Sequence, residues 1–406
     1  MELLSLSWRN IWRNKRRTLI TAASIFSAVF LALIMRAMQL GSYDKIVRNV
    51  VEFYTGYIQV HAKGYWDDKS LDRSFIANTA LLKNVENVGG VSYLIPRLES
   101  FALASTSTQT KGVLVVGAVL AQDDRLTHLS SRISKGIMPE QSGRGVLVAE
   151  GAASDLGVAV GDSIVLLGQG FHGMSAAGAF PVSGIVHFGS PDLNSRVVYM
   201  PLSACQDLYS APQRITSLVV AVNRPADAGT VAAALSRLLA PASYEVMTWD
   251  KMLLEVVQQI QSDNMAGLIM LGILYAIVIF GIFGTITMMT IERRREFGMV
   301  LALGMSKTLL VATTLVETIM ISIVGIAAGM IAATPVILYF HVHPIRLTGE
   351  AAKMMAQYGI EPVMPFLFDG SIYGTHAAIV LGATLICALF PLWVIGRLKV
   401  AGALRS

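Results

Sequence analysis

The sequence predicts an α-helical membrane protein with four transmembrane helices and a large mixed α+β domain inserted between the first and second helices. The mean hydropathy is +0.58 and only 15% of the residues are charged, whereas a soluble domain carries about 25%. Four apolar runs reach the roughly 20 residues that a helix needs to cross a bilayer. The long segment 41–265, which lacks such a run, separates the first two, and it is therefore expected to fold outside the membrane.

The four runs divide the chain into nine parts. These are an amphipathic N-terminal helix (1–17), the first span (18–40), the large domain with a helical extension at each end (41–265), the second span (266–290), a short amphipathic segment (291–307), the third span (308–339), a loop (340–374), the fourth span (375–395) and a C-terminal tail (396–406). The two extensions are predicted from apolar residues at helical spacing. They favour either a stalk that carries movement outward or a rigid neck.

The N-terminal segment 1–17 combines apolar side chains with basic ones, namely Arg9, Arg13, Lys15, Arg16 and Arg17. This composition fits an amphipathic helix on anionic lipid, and it fits simple anchoring by positive charge equally well. The apolar run that follows is about twice as long as that of a signal peptide, and no small-residue cleavage site precedes Arg36. An uncleaved first helix is therefore predicted.

Positive charge is concentrated on one side of the predicted membrane. The segments 1–17, 291–307 and 396–406 together hold twelve Lys and Arg against three Asp and Glu, whereas 41–265 and 340–374 hold 19 against 23. Because basic residues mark the cytoplasmic side, both termini and 291–307 are predicted to be cytoplasmic. The sequence pI near 9.1 thus reflects orientation in the membrane and does not indicate nucleic-acid binding.

The large domain is predicted to mix strands and helices. Strands are expected at 57–61, 112–120, 146–149, 182–186, 197–200 and 217–222, with another in 156–166 after a turn. A helix rich in Ala and Leu is expected at 227–239. The glycine-rich stretch 168–178 predicts a mobile loop or a hairpin.

Nucleotide binding by a P-loop is excluded. Gly298 and Gly304 have the glycine spacing of that motif, but its lysine has to follow the second glycine directly in order to reach the phosphates. Here Met305 and Ser306 stand between Gly304 and Lys307.

No hydrolase or metal site is indicated by the sequence. Ser175 lies in GMSAAG, which is not the GxSxG nucleophile motif. His341 and His343 are close in sequence, but no third ligand is implied. Cys205 and Cys387 lie in the large domain and in a span, so they are not expected to form a disulfide with each other.

Two ionisable residues lie inside predicted spans. Glu317 is expected on the order of 13 Å deep in the third span, which makes it either a functional candidate or one end of a structural bond between helices. Arg36, near the outer end of the first span, is expected to snorkel to the headgroups. In the third span, Gly325 and Gly329 predict close helix packing, and Pro335 predicts a kink or an end.

A resemblance to a known family rests on four stretches in a fixed order. They are WRNIWRNKRRT; LGVAVGDSIVL with VSGIV and VYMPLS; ERRREFGMVLALGM between the second and third spans; and ALFPLWVIGRLKVAGALR, in which Pro391, Arg397, Ala403, Leu404 and Arg405 take the expected places. Together they resemble the permeases of the FtsX/MacB/lipoprotein-release superfamily, the type VII ABC transporters.

The resemblance implies a homo- or heterodimer of permeases bound to two copies of an ABC ATPase subunit. ATP and Mg²⁺ would lie on the ATPase, so this chain is expected to be non-enzymatic, with no cofactor, catalytic residue or metal ligand of its own. The segment 292–305 would be the coupling helix that fits a groove on the ATPase. The residues assigned to this coupling are Glu292, Arg293, Arg294, Arg295, Glu296, Phe297, Gly298, Leu303, Gly304 and Met305.

Within the superfamily, TGYIQVHAKGY after the first span and the length of the loop 340–374 resemble the lipoprotein-release branch. This implies a bacterial inner-membrane protein that extracts lipoproteins or similar amphiphiles from the outer leaflet by mechanotransmission, with its large domain in the periplasm. Membrane lipids and a periplasmic chaperone or adaptor are further expected partners. Two alternatives stay open: MacB-like export of drugs, toxins or peptides, and FtsX-like signalling to a periplasmic enzyme.

Overall fold

The computed structural model describes residues 2–13, 15–357 and 362–397, which form two compact units. The helical unit comprises Met1–Asp44, Ile260–Arg346 and Val363–Ser406, and the sheet unit comprises Lys45–Gln259 and Leu347–Pro362. Ala403, Leu404 and Arg405, which contribute to the C-terminal resemblance, lie outside the described residues, as does most of the predicted tail.

The α-helices of the described residues are numbered in chain order. They are α1 (Glu2–Arg13), α2 (Lys15–Val50), α3 (Tyr65–Asp68), α4 (Thr79–Glu86), α5 (Leu120–Thr127), α6 (Glu150–Leu156), α7 (Pro191–Arg196), α8 (Leu202–Leu208), α9 (Ala228–Leu238), α10 (Trp249–Met252), α11 (Leu254–Glu292), α12 (Arg294–Ala302), α13 (Lys307–Val342), α14 (Glu350–Gln357) and α15 (Gly370–Gly396).

Four of these helices, α2, α11, α13 and α15, are long and apolar enough to cross a membrane. The mixed α+β unit lies between the first two of them in sequence, so the predicted fold class is confirmed. Both helices that border the sheet unit are longer than a bilayer requires: α2 continues to Val50 and α11 begins at Leu254. The helical extensions expected from periodicity are thus continuous with the spans themselves.

Two glycines of α13 allow it to pack closely on α2. A Cβ atom added at Gly325 would lie 2.8 Å from Cβ of Ile25, and one at Gly329 would lie 2.9 Å from Cβ of Val29. Any larger side chain would push the helices apart, so the packing predicted for these glycines is confirmed. The helix does not end at Pro335, which lies inside α13.

Arg36 bonds to protein groups rather than extending to lipid headgroups, which corrects the sequence prediction. Its Nη1 donates to Oε1 of Gln39 and to Oδ1 of Asn264, both at 2.7 Å. Gln39 in turn donates through Nε2 to the hydroxyl of Tyr43 at 2.8 Å. Because Asn264 is on α11, this network ties the first span to the second.

The strands of the described residues are β1 (Ile58–Ala62), β2 (Phe75–Ile76), β3 (Val91–Ser105), β4 (Thr110–Ala118), β5 (Ile133–Gly136), β6 (Val146–Ala149), β7 (Ser163–Gln169), β8 (Ser175–Val186), β9 (Val197–Pro201), β10 (Arg214–Ile215), β11 (Ser217–Val222), β12 (Tyr244–Thr248), β13 (Ile345–Arg346) and β14 (Val363–Met364). Ten of them form one sheet in the order β12-β1-β11-β3-β4-β9-β6-β8-β5, with β7 paired to β3 and β8. The β4–β9 and β6–β8 pairs are parallel, and the other pairs of this sheet are antiparallel.

The predicted strands at 146–149 and 217–222 coincide with β6 and β11. The glycine-rich stretch 168–178 is part of a hairpin, since β7 pairs with β8 from Gln169–Ser175 to Ser163–Pro181. The longest strand, β3, was not predicted. It carries polar residues and a proline among its apolar ones, so its sequence lacks the clean alternation that marks a strand.

Those polar residues of β3 form a buried cluster in the sheet unit. Arg97 and Asp123 are both fully buried, with Nε and Nη2 of the guanidinium each 2.6 Å from Oδ1 of the carboxylate. Arg97 also donates to the main-chain oxygen of Tyr54, whose hydroxyl donates to Oε2 of Glu99 at 2.9 Å. The buried guanidinium is thus paired from several sides, as a charge in the interior has to be.

On β1, which β11 separates from β3, His61 is buried and neutral. Its Nδ1 lies 3.0 Å from the main-chain oxygen of Thr216. Burial lowers the pKa of His61 to about 4, because a protonated ring would lose its hydration. The imidazole in this polar interior is therefore uncharged at neutral pH.

Replacement of Arg97 by Met is expected to destabilise the protein by about 3–5 kcal/mol, because it leaves Asp123 buried without its partner. Chemical denaturation of the full chain in detergent, followed by tryptophan fluorescence, measures this loss. Arg224→Met is the matched control, since Arg224 forms an exposed pair with Asp227 and its loss is expected to cost about 1 kcal/mol or less. Equal losses in the two variants would contradict a structural role for the buried pair.

Candidate functional site

The helix α12 lies between the second and third spans, at the position of the predicted coupling segment. Gly304 takes a φ of +100°, a conformation that side chains rarely tolerate, and it turns the chain after α12. Ser306 then caps α13, since its Oγ accepts the N–H of Leu309 at 3.3 Å. The boundaries of α12 thus follow from local sequence chemistry.

One face of α12 is buried against the helical unit. Phe297 is only 4% exposed and packs with Leu310 of α13 and Ile395 of α15. Gly298 is buried as well, and Met305 packs against the same cluster. Phe297 and Gly298, which were both assigned to coupling, thus face the helix bundle.

Arg293 is buried too, and it pairs with the acid inside the third span. Its Nη1 lies 2.9 Å from both Oε1 and Oε2 of Glu317, and the two side chains are 8% and 4% exposed. Arg293 was assigned to ATPase coupling, but its guanidinium points into the helix bundle. Glu317 is therefore one half of an ion pair between α13 and the residue that precedes α12, which agrees with the structural alternative for this acid.

A second acid extends this pair to the N-terminal helix. Oε2 of Glu296 lies 3.6 Å from Nε of Arg293 and accepts a hydrogen bond from Nη2 of Arg13 at 2.8 Å. We call Arg13, Glu296, Arg293 and Glu317 the ion-pair chain. It connects α1, α12 and α13 through alternating charges, so a displacement of α12 has to disturb both neighbours.

A further contact holds α1 against the third span. Oγ of Ser7 is buried and donates to the main-chain oxygen of Thr313 at 3.3 Å. The sequence indicated only contacts with lipid for the segment 1–17. The structure gives α1 a second role, because it packs on α13 next to α12.

The segment from Glu292 to Gly304, which includes α12, also has an exposed surface, and five of the remaining residues assigned to coupling contribute to it. Leu303 is 88% exposed, which is unusual for a leucine. Exposed with it are Glu292, Arg294, Arg295, Met299 and Gly304. This surface, which we call the docking face, combines one glutamate and two arginines with two large apolar side chains and is therefore suited to binding a protein surface.

Among the residues that the structure describes, no group of three or more His, Cys, Asp or Glu is placed to hold a metal ion. His341, which was weighed as a ligand, lies with its Nδ1 2.7 Å from the main-chain oxygen of Phe366. Cys205 and Cys387 are both buried as free thiols.

Comparisons with known proteins match most of the chain. The family described as MacB-like periplasmic core domain matches residues 18–238, and the family described as FtsX-like permease C-terminal matches residues 268–400. A curated relative, the macrolide export ATP-binding/permease protein MacB of Agrobacterium fabrum, is 22% identical over 359 residues. The alignment covers 82% of this chain and 52% of the relative, so the chain spans about half the length of the curated relative it matches.

Two solved structures are similar to part of the chain. The periplasmic region of MacB from Actinobacillus actinomycetemcomitans has 16% identity and a TM-score of 0.36, covering 52% of this chain and 95% of that one. The extracellular domain of the noncanonic ABC-type transporter YknZ from Gram-positive bacteria has 12% identity and a TM-score of 0.34, covering 48% of this chain and all of that one.

Replacement of Glu317 by Gln is expected to destabilise the protein by about 3–5 kcal/mol, because Arg293 stays buried without a counter-charge. The double variant Arg293→Leu/Glu317→Leu should recover most of that loss, since it removes both charges together. Thermal unfolding in detergent measures the three proteins.

Glu296→Gln is the control for this prediction, because Glu296 is half exposed and its loss is expected to cost about 1 kcal/mol or less. If Glu317→Gln were as mild as Glu296→Gln, the buried pair would not be the bond that holds α12.

Proposed function

The chain belongs to the FtsX/MacB superfamily of ABC-transporter permeases, and from this we propose that it is a transmembrane subunit that works by mechanotransmission. In this proposal an ATPase subunit moves α12, and the movement passes through the spans to the periplasmic domain. The observation that carries the proposal is the two-faced helix α12, which is fixed inward by a buried ion pair and open outward on the docking face.

The proposed orientation places α12 and both termini in the cytoplasm and the sheet unit in the periplasm. The excess of Lys and Arg around the ends of the spans supports this. The exposed Arg294 and Arg295 then face the compartment that contains ATP. The proposed membrane is the inner membrane of a bacterium.

The proposed assembly is a dimer of permeases with two ATPase subunits, in which Leu303 and Met299 enter a groove on the ATPase. An exposed apolar side chain flanked by charges is typical of the central contact in such an interface. ATP and Mg²⁺ would belong to the ATPase, because the described residues of this chain provide neither a P-loop nor a cluster of metal ligands.

Transmission to the periplasm is proposed to use the two long helices. Both α2 and α11 contain residues of the helical unit and residues of the sheet unit within one uninterrupted helix. A helix resists bending over such lengths because its backbone hydrogen bonds are made within the helix. We propose that movement of the spans passes along these two helices.

The proposed cargo is a lipoprotein or a similar amphiphile. An exposed apolar patch on the sheet unit supports this: Phe101 and Leu103 on β3 lie next to Val165 and Leu167 on β7, with Leu103 paired to Leu167 in the strand register. All four side chains are exposed although they are large and apolar. Such a patch in a water-filled compartment is suited to binding an apolar surface or an acyl chain.

MacB-like export is the second candidate, and the match to the MacB-like periplasmic core domain favours it. The Agrobacterium relative is by its name a macrolide exporter. In this alternative the patch on β3 and β7 would bind an adaptor protein. FtsX-like signalling would require a periplasmic enzyme at the same surface.

Leu303→Asp is expected to weaken binding of the ATPase by about 10- to 100-fold, as loss of a central apolar contact does, and to leave the fold intact because the side chain is exposed. Co-purification of the ATPase and its permease-dependent ATP hydrolysis measure the effect. Phe297→Asp should instead reduce thermal stability, since it places a charge in the packed cluster.

The control for the docking face is Leu238→Asp, which changes an exposed leucine of α9 in the sheet unit. It should leave ATPase binding unchanged. Wild-type ATPase coupling in Leu303→Asp would count against α12 as the docking element.

A photo-crosslinking amino acid at Leu103 tests the cargo. In native membranes it is expected to capture acylated lipoproteins, whereas the same probe at Leu238 should not. Capture of an adaptor protein would replace the proposal by MacB-like export, and capture of a cell-wall enzyme would replace it by FtsX-like signalling. Mass spectrometry of the cross-linked bands identifies the species.

A further inference from the structure

A groove of about 430 Å³ lies between α1, α2 and α13 in the helical unit. Its volume is within the range of about 300–1,000 Å³ that small-molecule sites occupy. The walls are apolar and aromatic, formed by Trp8, Ile11, Trp12, Leu19, Ile321 and Val324. The groove is therefore large enough and apolar enough for a hydrocarbon chain.

Two basic residues line the same groove. Lys15 and Arg16 are both exposed, and Nζ of Lys15 lies 5.5 Å from the ring centroid of Trp12. None of the residues that the structure places around the groove is acidic. The site thus offers an apolar wall together with positive charge and no acidic side chain in its lining, which is the chemistry that suits an anionic phospholipid.

We infer that this groove binds one anionic phospholipid of the leaflet on the α12 side, with an acyl chain against Trp8 and Trp12 and the phosphate at Lys15 and Arg16. The rings of the two tryptophans, whose centroids are 6.0 Å apart and whose planes are inclined by 67°, line the wall for the acyl chain. This site does not depend on the proposed function, because it rests only on the groove and its charges.

A second, larger groove of about 1040 Å³ also contains Lys15 and Arg16, but its charge differs. Arg13 and Arg293 line it as well, and so do Glu292, Glu296, Phe280 and Met288. The two carboxylates of the second groove would repel a phosphate, whereas no carboxylate lines the first groove. Charge complementarity therefore selects the first groove for an anionic lipid.

The bound lipid has a structural consequence for the ion-pair chain. It would fill the space between α1 and the spans, and Arg13 at the end of α1 holds Glu296 of α12 at 2.8 Å. Occupancy of the groove by lipid thereby stabilises the position of the helix that carries Arg13. Two interpretations of the segment 1–17 were open from the sequence, and this site favours a specific contact with lipid over general anchoring.

Quenching of tryptophan fluorescence by brominated lipids tests the site. The full chain, with Trp393 replaced by Phe to remove the tryptophan of the fourth span, is placed in phosphatidylcholine nanodiscs with a small fraction of brominated phosphatidylglycerol or brominated phosphatidylcholine. The affinity for phosphatidylglycerol is expected to be about ten-fold higher than the affinity for phosphatidylcholine, because two basic residues lie at the phosphate position. Equal quenching by the two lipids would overturn the inference.

Two pairs of matched variants locate the lipid. Lys15→Gln/Arg16→Gln should abolish the preference for phosphatidylglycerol over phosphatidylcholine. Arg9→Gln, which removes an exposed charge of α1 outside the groove, should keep that preference. Val324→Phe should prevent the acyl chain of the lipid from entering the groove. Ile323→Phe, at an equally exposed position that does not line the groove, should leave lipid binding unchanged.

Loss of the preference in Arg9→Gln would show attraction to general surface charge and would overturn the site. Gly284→Leu fills only the second groove, where its side chain has open space. The site would also be overturned if Gly284→Leu prevented lipid binding while Val324→Phe had no effect.

Discussion

An acid inside a membrane-spanning helix needs a partner, and the partner of Glu317 determines how the segment between the second and third spans is held. The bidentate contact with Arg293, at 2.9 Å to each oxygen, fixes the start of α12 against α13. In a low-dielectric environment neither charge is stable alone, so the two residues stay together through any movement that does not hydrate them. The position of α12 therefore depends on this pair.

The same constraint explains why α12 has two different faces. Arg293 and Phe297 lie inward, one in the ion pair and the other in the packed cluster with Leu310. The residues on the other side, above all Leu303, are left exposed. A helix that is held on one side and open on the other can receive a force from a partner and pass it to its neighbours. The ion-pair chain through Glu296 includes α1 in that movement.

The architecture could be predicted from the sequence because its signals are local. A run of about 20 apolar residues is sufficient to place a helix that can span a membrane. Strands such as β6 and β11 were predicted because their residues are mostly apolar and uninterrupted by charge. The strand β3 was missed because Arg97 and Glu99 are buried there, and their burial depends on Asp123 and Tyr54, which lie far away in sequence.

The sequence predicted a short amphipathic segment between the second and third spans, and α12 lies there, but the division of its side chains between a buried and an exposed surface was not predicted. The segment 291–305 was recognised from charge and length, yet the same three arginines divide between two roles, since Arg293 is buried and its neighbours Arg294 and Arg295 are exposed. Only the arrangement of α13 relative to α12 separates them, and it brings together residues 24 positions apart. The signal that was available was Glu317 itself, because a buried acid implies a basic residue within reach.

The most direct measurement is a cross-link from the docking face. Cys205 and Cys387, the two cysteines of the chain, are both buried, so Leu303→Cys carries one exposed thiol. In native membranes a short thiol-reactive cross-linker at this position is expected to join the chain to an ATP-binding subunit, with little product from Leu238→Cys in the sheet unit. An ATP-binding subunit that co-purifies with Leu303→Cys but is never cross-linked to it would contradict docking at α12.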